Sequence, residues 1–197
     1  NNDGAPEIFT TEMLPQDNYR IKTQTRFDEF HLENTKAKAS YYYPFLQNCL
    51  QLNTGDGHFR EIAFIAGVAA TDWSWGSLIF DFNNDGWKDI FVSNGIYQEI
   101  TSMDFGDFMS DKENIKKLIV EKGRFNFKDV VSMLQSNRIP NYAFLNQRNL
   151  TFKNSADELG LGDPSFSNGA AYGDLDNDGD LDLVVNNVNM PCFVYRN

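Results

Sequence analysis

Two short stretches of the chain concentrate oxygen ligands at regular spacing. Asp81, Asn83, Asp85 and Asp89 fill positions 1, 3, 5 and 9 of one nine-residue run, and Asp174, Asp176, Asp178 and Asp182 fill the same positions of another. Position 7 is Trp87 or Asp180, each offering its backbone carbonyl, and position 6 is Gly86 or Gly179. At position 6 the chain is expected to turn sharply, with no room for a Cβ. Calcium is a hard cation that takes about 6–8 oxygen ligands at roughly 2.3–2.6 Å, whereas magnesium prefers small octahedral shells rich in water. The spacing therefore predicts one calcium ion in each loop. An EF-hand would need a bidentate Glu at position 12 and flanking helices. Position 12 here is Val92 or Val185, inside an apolar, strand-like run. A solvated acidic turn is the plainer alternative, but carboxylates this close repel one another unless a cation or protons neutralise them.

The two runs belong to a longer repeat. Asp81 and Asp174 are 93 residues apart, and the same offset relates Asn53 to Asn146, Phe59 to Phe152, Gly67 to Gly160 and Gly76 to Gly169. A third copy is entered part-way: Asn1, Asp3, Ala5 and Glu7 align with positions 3, 5, 7 and 9, giving a partial metal site in which Glu replaces the last Asp. A fourth begins at the end of the chain, where Phe193-Val194-Tyr195-Arg196-Asn197 resembles Tyr142-Ala143-Phe144-Leu145-Asn146. A marker Asn thus recurs at 53, 146 and 197. The compact unit is about 51 residues, the size of one propeller blade.

Each acidic run leads into an apolar, β-branched stretch, Ile90-Phe91-Val92 or Leu183-Val184-Val185, which reads as a strand. The elements that must position the ligands are therefore blades of an all-β propeller. The organisation reads as the end of a repeat over 1–9, an insertion over 10–47, a full repeat over 48–95, a mainly helical insertion over 96–140, a second full repeat over 141–191, and the start of another over 192–197. Within the second insertion, Phe108, Ile115, Leu118 and Ile119 recur at near-helical spacing, Ser110 and Glu113 suggest a capping box, and Gly123 a break. A shorter helix is expected from about Phe127 to Gln135. The first insertion looks less regular. Both insertions interrupt the repeat at the same point, so they should meet on the surface.

Composition narrows the function. Of 197 residues, 41% are hydrophobic and 14% aromatic, as in a folded domain, and no apolar run approaches the length of a membrane span. The net charge of −11 disfavours nucleic acid. Cys49 and Cys192 lie in no CxxC pair, which disfavours zinc and leaves one disulfide or two buried thiols, with the thiols favoured. The chain opens at Asn1-Asn2-Asp3-Gly4 without an initiator Met and reads as a mature or excised piece, so missing targeting signals carry no weight.

The phrases Asp81-Phe82-Asn83-Asn84-Asp85-Gly86 and Asp174-Leu175-Asp176-Asn177-Asp178-Gly179 resemble the DxDxDGxxD loops of the FG-GAP/VCBS repeat family. Trp75-Gly76 and Asn168-Gly169 stand roughly where that family carries Phe-Gly, so that half of the signature is altered. The wording is most similar to the secreted bacterial branch that often carries an ASPIC/UnbV domain; the cartilage acidic proteins and, more distantly, the integrin α-subunit propeller are relatives. The resemblance implies a seven-bladed propeller of which this chain is about three blades, Ca2+ in two complete sites and a third partial one, and an extracellular or bacterial cell-surface location, with a lipid anchor as one way of reaching it. It also implies a non-catalytic role in adhesion or protein–protein interaction, with a protein partner or an outer-membrane complex. Such a piece is expected to depend on the rest of its chain or on a bound complex, because a cut propeller exposes unpaired sheet surface.

An enzyme is the rival class: a calcium-dependent polysaccharide lyase or hydrolase on the same scaffold. It would need an acid or base in a cleft. His31 and His58 are the two histidines, neither with an evident partner, and no GxSxG or HExxH is present. Glycan binding without catalysis would use Trp73, Trp75 or Trp87, though packing between blades suits these better. Tyr41 to Tyr43, Phe105 and Phe108, in the insertions, are the favoured partner contacts.

Overall fold

A computed structural model describes residues 1–24, 30–42, 45–122 and 126–197, with the helical backbone alone for 118–122. Its strands are β1 (Ile8–Thr10), β2 (Cys49–Asn53), β3 (Phe59–Glu61), β4 (Ser74–Phe80), β5 (Asp89–Asn94), β6 (Tyr142–Asn146), β7 (Phe152–Asn154), β8 (Ser167–Gly173), β9 (Asp182–Asn187) and β10 (Phe193–Tyr195). They form three antiparallel sheets, ordered β1-β2-β3, β4-β5-β6-β7 and β10-β9-β8. The repeat is visible in the register: Ile8 pairs with Gln51, Ile90 with Phe144 and Leu183 with Tyr195. In each case the residue after position 9 faces the residue two before the marker Asn. Both complete acidic runs are hairpin connections, closed by Phe80 opposite Asp89 and by Gly173 opposite Asp182.

The chain divides into two compact units. The first comprises residues 1–16, 46–97 and 137–197 and contains all three sheets. Strand β5 lies at its centre and is buried along its whole length. Alternation sends its side chains to two cores. Ile90 and Val92 pack with Leu50, Ala63, Val68 and Phe144. Phe91 packs with Phe80, Ala143, Leu161, Leu183 and Val185. This double burial explains the unbroken apolar run after the acidic loop. Phe80 also stacks on Tyr172, ring centroids 4.5 Å apart, joining the second sheet to the third. A short helix, α3 (Ala63–Ala66), buries Ala63 and Ala66 and leaves Phe64 and Ile65 exposed. The chain up to residue 16 belongs here, because Leu14 and Glu12 bond to Asp72 and Asn48.

The second unit comprises residues 17–45 and 98–136, so the two insertions do come together. Its regular elements among the described residues are all helices: α1 (Asn18–Gln24), α2 (Phe30–Lys38), α4 (Met103–Ser110), α5 (Lys112–Lys122) and α6 (Phe127–Val131). The irregular reading of the first insertion is corrected here. Asp17 accepts the Arg20 N–H and starts α1, while α1 and α2 bury no side chain, so no apolar stripe advertises them. The expected capping box is displaced by one residue. Ser110 Oγ donates back to the Gly106 carbonyl inside α4, and Asp111 accepts the Glu113 N–H to start α5. Helix α6 is shorter than expected, ending at Val131, with Asn126 as its cap. Gly123 and Tyr43 lie outside the described residues. A buried polar knot joins the two insertions: the Glu99 carboxylate, 1% exposed, accepts from Arg20 at 2.6 Å and Gln24 at 2.7 Å. Cutting one partner from such a buried pair costs about 3–5 kcal/mol.

No helix among the described residues is long and apolar enough to cross a membrane. Both cysteines are free thiols, but neither is buried: Cys49 is half-buried in β2 and Cys192 is exposed. A half-exposed strand position and a turn before a short final strand give no core for either to enter.

Candidate metal centre

All three acidic runs fold into one loop. Position 4 is left-handed in each, with φ of 63° at Asn2, 58° at Asn84 and 63° at Asn177, and position 6 follows at 87° for Gly4, 85° for Gly86 and 97° for Gly179. Asn tolerates this region, and Gly occupies it without penalty. A Cβ at Gly4, Gly86 or Gly179 would meet nothing within 4 Å. The expected obstruction is therefore absent; the backbone angle, not space, selects glycine.

Within each loop the carboxylates gather backbone donors. Asp81 accepts the N–H groups of Asp85 and Gly86 at 3.1 and 2.8 Å, and Asp174 accepts those of Asp178 and Gly179 at 3.2 and 3.1 Å. The position-5 carboxylate accepts the position-7 N–H in all three copies: Asp3 from Ala5 at 2.8 Å, Asp85 from Trp87 at 2.8 Å and Asp178 from Asp180 at 3.0 Å. That bond is the main reason all three acids titrate below the usual carboxylate range. The loop's own backbone thus favours the ionised form of the position-5 group.

Position 9 is built differently. Asp89 and Asp182 are buried at the start of β5 and β9, 0% and 2% exposed. One oxygen of each accepts the position-2 N–H, from Phe82 at 3.4 Å and Leu175 at 2.9 Å; the other accepts the marker Asn N–H, from Asn146 and Asn197, both at 2.9 Å. Burial pushes Asp89 up to about 6, aided by Asp85 and Asp81 and opposed by those two N–H bonds. Partial desolvation likewise raises Asp176, with Asp178 and Asp182 adding to the effect and Arg196 opposing it.

The last loop gathers the most carboxylates. Carboxylate oxygens of Asp174, Asp176 and Asp182 lie within 4.8 Å of one another, the one such acidic trio among the described residues. In the middle loop Asn83 replaces the third carboxylate, and Asp81, Asp85 and Asp89 do not close to that spacing. An arginine serves each of the two complete loops: Arg196 reaches Asp176 at 2.6 Å and Asp178 at 3.2 Å, and Arg148 reaches Asp85 at 3.2 Å while lying over the Trp87 ring. In the first copy, Glu7 Oε1 is buried and accepts no hydrogen bond, with the Asn1 amino group 3.7 Å away. Crowded oxygens and a buried position-9 acid fit a hard cation. The carbonyls of Ala5, Trp87 and Asp180 occupy position 7 of their loops, where the sequence places the backbone ligand.

The marker Asn and the two arginines had no assigned role in the sequence. Recurrence of the Asn was the available signal; no fixed spacing announces Arg148, two residues after its marker, or Arg196, one before. The other candidates lie apart from the loops. Trp75 donates to the Gly95 carbonyl at 2.7 Å and leans on Trp73, as strand packing requires. His58 sits in the Asp56 turn, and His31 lies at the start of α2 against Phe30. Tyr41 and Tyr42 are exposed, Tyr42 at 99%, whereas Phe105 and Phe108 are half-buried in α4.

The model of the FG-GAP-like repeat matches residues 39–92 and 126–185, together more than half of the chain. Comparison with curated proteins finds no match. Both matched stretches contain a marker strand, β2 or β6, and run through an acidic loop into β5 or β9, and the three antiparallel sheets are consistent with the propeller-type fold of that family. The chain belongs to the FG-GAP-like repeat family.

Proposed function

We propose that this chain is a non-catalytic, calcium-binding part of a β-propeller, seven-bladed in the whole protein, and that its partner is another protein. The observation that carries the calcium reading is the shared loop: three copies with one backbone form, and in the last of them a trio of carboxylates within 4.8 Å. Asp174, Asp176, Asp178, Asp182 and the Asp180 carbonyl would hold one ion; Asp81, Asn83, Asp85, Asp89 and the Trp87 carbonyl a second. Asn1, Asp3, Glu7 and the Ala5 carbonyl would contribute to a third. Bound there, calcium ties the connection between two strands and supplies rigidity. Extracellular modules bind calcium with dissociation constants of about 10⁻⁴–10⁻³ M, which suits an extracellular or cell-surface setting.

The interaction reading rests on the helical unit. It leaves Tyr19, Phe30, Tyr41, Tyr42 and Phe127 each about 70% exposed or more, an unusual load of aromatic surface for a stretch outside the repeat. Calorimetric titration tests the metal reading: calcium binds at roughly two or more sites per chain, magnesium does not compete at equal concentration, and Asp81→Ala and Asp178→Ala each remove one site. An absence of calcium heat and of any site lost in the variants would sink it.

A further inference from the structure

One asparagine reaches across each sheet to its acidic loop. Asn53 Nδ2 donates to the Pro6 carbonyl at 3.3 Å, Asn146 Nδ2 to the Lys88 carbonyl at 2.9 Å and Asn197 Nδ2 to the Leu181 carbonyl at 3.4 Å. All three carbonyls belong to position 8, the peptide just before the closing ligand. For Asn146 and Asn197 the backbone N–H of the same residue holds the position-9 carboxylate itself, at 2.9 Å. One residue at or just past the end of the third strand therefore grips both the closing carboxylate and the peptide that carries it.

The remaining atom of the side chain is also used. Asn53 Oδ1 accepts the Gly55 N–H and Asn146 Oδ1 accepts the Arg148 N–H, both at 2.9 Å, closing the turn that follows. An ionised Asp can close such a turn but has no donor, and Ser and Thr carry donor and acceptor on one oxygen; an amide supplies an acceptor for the turn and a donor for the loop on separate atoms. The marker is therefore Asn for a reason that turn formation alone does not supply.

We infer that this asparagine is a positioning residue for the cation: it presets the loop by clamping position 8, so that the position-9 carboxylate is aimed before metal arrives. The inference rests on the calcium reading given above and concerns residues that touch no ion. Groups that orient metal ligands typically contribute 10–100-fold to affinity.

The middle loop offers a direct test, because Trp87 lies within it. Terbium luminescence excited through tryptophan reports that loop, Trp87→Phe identifies its share of the signal, and calcium displaces the terbium. Asn146→Asp keeps the turn acceptor, removes the donor and adds a negative charge near the site. Simple electrostatics would strengthen calcium binding in that variant. The clamp predicts the opposite sign, a loss of roughly tenfold or more, matched by Asn146→Ala and absent in Asn53→Asp. In chelator, amide exchange at Asp85, Gly86 and Trp87 should quicken about tenfold in Asn146→Asp. Wild-type calcium affinity in Asn146→Asp overturns the inference. Should the unaltered protein bind neither terbium nor calcium, the calcium reading fails by itself, and unchanged exchange in Asn146→Asp then overturns the clamp.

Discussion

The middle and last loops share one backbone and differ in charge. Both place Asn at position 4 and Gly at position 6 in the left-handed region, and both bury the position-9 Asp under two N–H donors. Yet the last loop gathers three carboxylates within 4.8 Å, and the middle one, with Asn83 at position 3, does not. The loop's shape is therefore fixed by hydrogen bonds and backbone angles, and its load of negative charge varies on top of that shape. Architecture and metal affinity are separable, and substitutions can pull them apart.

The largest effect belongs to architecture. Asp89→Ala and Asp182→Ala each strand two backbone N–H groups beside a buried position and should each cost roughly 3 kcal/mol in chelator, where no metal contributes. Chemical denaturation checks this, and a loss confined to calcium would show position 9 to be a ligand alone. Gly86→Ala and Gly179→Ala come next, at about 1–2 kcal/mol, from the positive φ. Since no atom waits near either missing Cβ, the two costs should be equal; a large inequality would mean that the loops differ in shape as well as charge. Asn83→Asp tests charge alone: it should raise the calcium affinity of the middle loop about tenfold, towards that of the last, by titration calorimetry. The smallest effect is expected at the arginines. Arg148→Gln and Arg196→Gln remove exposed, solvent-screened ion pairs, so calcium affinity should rise no more than a few-fold.

Much of the sheet unit was legible because the repeat constrains it twice. Asp81 and Asp174 mark the same hairpin, and the apolar runs behind them are strands, β5 buried on both faces and β9 packing Leu183 and Val185 into one core. Even the copy entered at Asn1 follows the rule, with Asn2, Asp3 and Gly4 taking the angles and bonds of their counterparts. The insertions were less legible because nothing repeats them. Helices α1 and α2 bury no side chain and so leave no periodic trace, and Asp17 and Asp111, which cap α1 and α5, resemble any other surface acid until the helix is in view. The Arg20–Glu99–Gln24 knot joins residues nearly 80 positions apart, with no pattern linking them. At the loop, Gly86 was placed correctly for a reason that proved wrong: its conformation matters, and its surroundings are open.

The most direct test of the central claim is a set of thermal melts of the chain in calcium, in magnesium and in chelator, run beside Asp81→Ala and Asp178→Ala. The account predicts a rise in Tm specific to calcium, reduced in each variant and most strongly in Asp178→Ala, whose loop carries the three gathered carboxylates. One Tm shared by all three conditions would contradict it and leave the loops as acidic turns held by their own backbone.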